Sequence, residues 1–66
     1  MSVLKVIEVL SGSSKSWEDA TQQAVIKAAK SVKNIRSVYV QEQSATVKDD
    51  KVAEFRVNVK ITFEIE

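Results

Sequence analysis

"VAEFRVNVKITFEIE", residues 52–66, alternates apolar and polar side chains almost without fault. Ala53, Phe55, Val57, Val59, Ile61, Phe63 and Ile65 fall on one face. Glu54, Arg56, Asn58, Lys60, Thr62, Glu64 and Glu66 fall on the other. A period of two is the signature of a strand with one face on a core and one face open. At 3.4 Å per residue, such a strand is about 50 Å long.

Its neighbours follow from turn and helix signals. "KDDK" at 48–51 reads as a turn, so residues 35–47 form a second strand, in which Val38 and Val40 alternate with Tyr39. Further upstream, "SWEDATQQAVIKAAKSVKN" at 16–34 predicts an amphipathic helix, with Trp17, Ala20, Ala24, Ala28 and Val32 on one face. Ser16 and Asp19 have capping-box spacing, with Asp in place of Glu. Glu18 and Asp19 open the helix, Lys30 and Lys33 close it, and Asn34 is a left-handed stop. "SGSS" at 11–14 reads as a loop containing the only glycine, Gly12. "VLKVIEVL" at 3–10 predicts a first strand, apolar on both faces and therefore covered on both.

The predicted order is β-α-β-β in one α+β domain spanning 1–66. A right-handed crossover sets the first two strands parallel. The third fits between them, antiparallel to both. This gives a three-stranded antiparallel sheet in the order 1-3-2, packed on one helix. A helix of about 17 residues is roughly 25 Å long and 10 Å wide. It cannot cover a 50 Å strand, so Phe63 and Ile65 need cover from another copy of the chain.

Composition points the same way. A chain of 66 residues with no Cys and no His has neither disulfides nor soft-metal staples to reinforce a small core. Ten basic and nine acidic residues argue against a dedicated nucleic-acid binder. No apolar run is long enough to span a bilayer and no secretory signal is evident, so a cytoplasmic protein is expected.

The same residue counts bear on chemistry. Lacking His and Cys, the chain has neither the commonest acid–base group nor a thiol nucleophile, and no Ser is spaced to a base. A binding or assembly role is therefore expected, not an enzyme. Lys27, Lys30, Lys33 and Arg36 drift around the helix as a solvated end, and Trp17 reads as a core or interface anchor. Arg56, Asn58 and Lys60 line the polar face of the third strand and, in an assembled shell, a cavity. Metal ligands are restricted to oxygen, with Glu8, Glu42, Glu54 and Glu64 as candidates, which suits calcium or magnesium. One Glu repeated around a threefold axis would supply a ring of three carboxylates.

Taken together, "KVIEV" at 5–9, "SWEDA" at 16–20 and "VKITFEIE" at 59–66 resemble the dodecin family over nearly the whole chain. The resemblance implies a hollow homododecamer that binds and stores flavin between symmetry-related subunits, without catalysis. It implies a stacking Trp early in the second strand and a Gln on the third that pairs with the flavin ring. Those positions fall here on Ser37 and Arg56, and Glu42 falls where the family commonly carries an acidic residue near the pocket. Ser37 offers no aromatic face, and Arg56 donates but cannot accept. Small-ligand or ion binding, with calcium or another cation in place of flavin, is the expectation. Flavin storage is the alternative, and a purely structural assembly module is the alternative of another class.

Overall fold

The computed structural model describes residues 3–65. In chain order the elements are β1 (Val3–Ser13), α1 (Trp17–Ala28), β2 (Ile35–Lys48) and β3 (Lys51–Ile65). The sheet order is β1-β3-β2, and both outer strands pair antiparallel with β3. The long alternating strand is therefore the central one, as its length and pattern require.

The sheet buries one face against α1. Ala20 and Ala24 of the helix meet Val57, Val59 and Ile61 of β3, and all five are buried. Alanine at the contact positions lets the helix axis sit close to the sheet. Ile7, Val9, Trp17, Ala28, Ile35, Val38 and Val40 pack around this centre.

Two boundaries differ from expectation. The 11–14 loop is shorter than predicted, because β1 continues through Ser13, with Gly12 opposite Arg56 and Ser13 opposite Phe55. Gly and Ser are weak strand formers, but the long central strand offers them a ladder to complete. The helix is also shorter, stopping at Ala28 with Ala29 as its cap, so Lys27 rather than Lys30 or Lys33 occupies the last turn. Lys30 N–H donates to Lys27 O (3.2 Å) and Ser31 N–H to Ala28 O (3.0 Å), tightening the chain into a turn. Asn34 is left-handed (φ 63°), but it acts at the start of β2, where its carbonyl accepts from Glu64 N–H (3.0 Å). The chain must leave the helix early to reach that bond.

At the other helix end the capping box is half formed. Ser16 Oγ accepts from Asp19 N–H (2.9 Å), while the Asp19 carboxylate accepts from Ser13 Oγ (2.6 Å) instead of returning to Ser16. Trp17 anchors the same end. Its ring meets Phe55 edge-on at 4.9 Å, and Nε1–H donates to Ser44 O (2.8 Å). Asp49 and Asp50 both have positive φ (53° and 63°), the geometry of a tight two-residue hairpin turn.

The protomer measures 50 × 20 × 13 Å. The twelve-residue helix is about 18 Å long, so most of the sheet extends beyond it. β1's outward residues Leu4, Val6 and Leu10 are exposed, Leu10 by 78%. Val47 and Val52, beyond the end of β1, are exposed as well, and so is Ile65; Phe63 is half-buried. Among the described residues no helix is long and apolar enough to cross a membrane.

Candidate functional site: an open groove on the polar sheet face

The face of the sheet opposite the helix is built from the polar register of β3. In its middle stretch each polar residue sits between one neighbour from β1 and one from β2. Arg56 lies between Gly12 and Ser44, Asn58 between Leu10 and Glu42, and Lys60 between Glu8 and Tyr39. A shift in register between Val40 and Glu42 turns Glu42 onto this face while Val40 remains on the core side.

Here the surface forms a groove of about 740 Å³. Leu10, Gly12, Glu42, Ser44, Glu54, Arg56 and Asn58 are among the residues that line it. Arg56 Nε donates to Glu54 Oε1 at 2.9 Å, with the two side chains 59% and 41% exposed. The Glu54 carboxylate lies over Gly12: a Cβ at that position would come within 2.6 Å of Oε2. Asn58 Oδ1 is buried with no hydrogen-bond partner among the described residues. Buried carbonyl oxygens are rarely left so, and this one belongs to a residue lining the groove.

Of the three residues singled out by sequence, Glu42 and Arg56 meet at this groove and Ser37 does not. Ser37 pairs with Thr62, six residues along β3 from Arg56, or about 20 Å. A single protomer cannot close one pocket around both, so a pocket using both needs a second copy. Tyr39 shares the open face and is 65% exposed. Among the other carboxylates, Glu64 accepts from Arg36 Nε (3.0 Å) and Nη2 (2.9 Å), and Glu8 stands opposite Lys60 in the strand register. Among the described residues no three His, Cys, Asp or Glu side chains come together within the protomer. The sequence reading missed Gly12, Ser44 and Leu10 as groove residues. It had Glu54 and Asn58 on the polar face, but not the Glu54–Arg56 pair, although i, i+2 spacing on a strand already places these two on one face.

A smaller, more apolar groove of about 390 Å³ runs between α1 and β2, past Trp17, Thr21, Val25, Val38 and Val40. The helix leans toward β1 and leaves this edge of the core partly open.

The family model described as Dodecin matches residues 3–66. The chain belongs to the dodecin family. Calcium dodecin from Mycobacterium tuberculosis is 37% identical over 65 residues, covering 98% of this chain and 92% of that one. The crystal structure of calcium dodecin, a calcium-chelating immunodominant antigen with a novel calcium-binding site, superposes with a TM-score of 0.85 at 34% identity. That match covers 97% of this chain and 91% of the other. A single-residue mutant of the T. thermophilus dodecin superposes at 0.94 with 27% identity, covering 100% of this chain and 98% of that one. The β-α-β-β topology and the 1-3-2 sheet of this dodecin agree with the fold expected from its sequence.

The groove's donor set suits some ligands better than others. Glu42 and Glu54 carboxylates and the orphaned Asn58 Oδ1 are hard oxygen donors, the type that calcium and magnesium prefer. Calcium takes six to eight oxygens, more than these groups supply. Ser37 carries no ring on which a ligand could stack, and the Arg56 side chain donates hydrogen bonds but accepts none.

Proposed function

We propose that this dodecin is a non-enzymatic, cytoplasmic subunit of a hollow homododecamer that binds and buffers a small ligand or ion, calcium or another divalent cation in preference to flavin. The observation that carries the reading is the oxygen-rich groove, where, among the described residues, the Glu42 carboxylate makes no ion pair and Asn58 Oδ1 has no donor. The kinship with calcium dodecin supports it. The apolar residues left open on β1 and on the hairpin arm support assembly, since a larger surface of this kind marks an interaction site. Glu42 and Arg56, with Ser37 brought from a neighbouring subunit, make up the proposed ligand site.

Calorimetric titration of the assembled protein with calcium and, separately, with riboflavin tests this function. Saturable calcium uptake with weak or no riboflavin binding is expected. Tight riboflavin binding, or no calcium uptake, overturns it. A structural module with no small ligand is the second reading, favoured by the lack of three converging carboxylates among the described residues of one protomer. In that case chelator leaves the melting temperature unchanged.

A further inference from the structure

Arg56 has two carboxylates within reach and uses one. Glu54 lies two residues before it on the same face. Glu42, paired with Asn58, is its diagonal neighbour across the strands, at a distance of about 7–8 Å that a long side chain spans. The guanidinium bonds Glu54, and Glu42 makes no side-chain hydrogen bond or ion pair among the described residues.

Gly12 helps explain the preference. Its φ is not left-handed, so the backbone does not call for glycine. What glycine supplies is room: the Glu54 carboxyl carbon lies 2.7 Å from where a Cβ would stand. Seated there, Glu54 draws Arg56 along the strand and away from Glu42. Glu54 and Arg56 pair with each other, and Glu42 stays opposite Asn58, whose Oδ1 has no hydrogen-bond partner among the described residues.

We propose that Glu54, seated over Gly12, sets the groove's selectivity for cations by holding Arg56 off Glu42. The proposal rests on the cation-binding reading above and assigns the determinant within that site. Remove the Glu54 charge and Arg56, which cannot give up its proton, swings to Glu42 and occupies the cation's donors. Glu54 is thus a positioning residue whose effect passes through Arg56. A direct ligand would act whether or not Arg56 were present.

Calorimetric titration of calcium into wild type, Glu54→Gln, Arg56→Gln and the double variant separates the two roles, as a double-mutant cycle does for coupled neighbours. Glu54→Gln is expected to weaken calcium binding at least tenfold while Arg56 is present, and to cost much less than that when it is made in the Arg56→Gln background. Gly12→Ala, which unseats the carboxylate, should reproduce Glu54→Gln in milder form. An equal loss from Glu54→Gln in both backgrounds, or no loss while Arg56 is present, overturns the proposal. A crystal structure of Glu54→Gln needs no ligand: Arg56 bonded to Glu42 supports the mechanism, and Arg56 left in place refutes it. If wild type takes up no calcium, the cation reading falls by itself and that crystal structure still decides where Arg56 goes.

Discussion

At the scale of single residues, Ser37 on β2 and Arg56 on β3 carry the proposed preference for a cation over flavin. An isoalloxazine needs a stacking surface and an edge partner that both donates and accepts. Ser37 and Arg56 provide neither. Ser37→Trp combined with Arg56→Gln is expected to raise riboflavin affinity by at least tenfold, in line with about 1 kcal/mol for aromatic pairing plus a restored acceptor. Quenching of riboflavin fluorescence measures it, and no gain would mean that these positions do not face a flavin pocket. The core responds differently. Ile61 is fully buried beneath α1, and Ile61→Ala should cost about 2–5 kcal/mol in urea unfolding of the assembled protein. Strand alternation made the core side of β3 legible in the sequence, because burial repeats with the period of the backbone. The pairing of Arg56 with Glu54 was not legible, since the seat of the Glu54 carboxylate over Gly12 is a contact between strands that side-chain alternation along β3 does not reveal.

At the scale of elements, both ends of α1 and the hairpin turn carry testable energies. Ser16→Ala removes the acceptor for Asp19 N–H and should cost about 1 kcal/mol. Asp50→Gly relieves a side chain held at φ 63° and should stabilise the fold by up to about 1 kcal/mol. Thermal melts at fixed protein concentration report both. Helix and strands were recognisable from period and caps, but their ends were not. The Ala-Lys-rich stretch after Ala28 has good helix propensity, yet the need for Asn34 O to meet Glu64 N–H ends the helix first. Likewise Ser11–Gly12–Ser13 looks like a loop by composition and becomes strand because β3 reaches that far. In both cases a long-range hydrogen bond overrode a local preference.

At the scale of the whole molecule, mismatch between a short helix and long strands is the main physical fact. The mismatch was visible in the sequence as unequal lengths and is larger in the structure, because the helix is shorter than its pattern suggested. Leu4, Val6 and Leu10 on β1, with Val47 and Val52 on the hairpin arm, are surfaces that twelve copies would cover. Replacing Leu10 with Lys should therefore break the assembly, read by light scattering as a drop in mass, while the protomer core keeps its contacts. The proposed assembly is a dodecameric shell that holds cations and not flavin. Native mass spectrometry of the purified protein tests it most directly. Twelve chains of 7.4 kDa, about 89 kDa in all, with calcium-sized mass increments that a chelator strips away, is the predicted result. A monomer, or a dodecamer carrying flavin-sized increments, would contradict it.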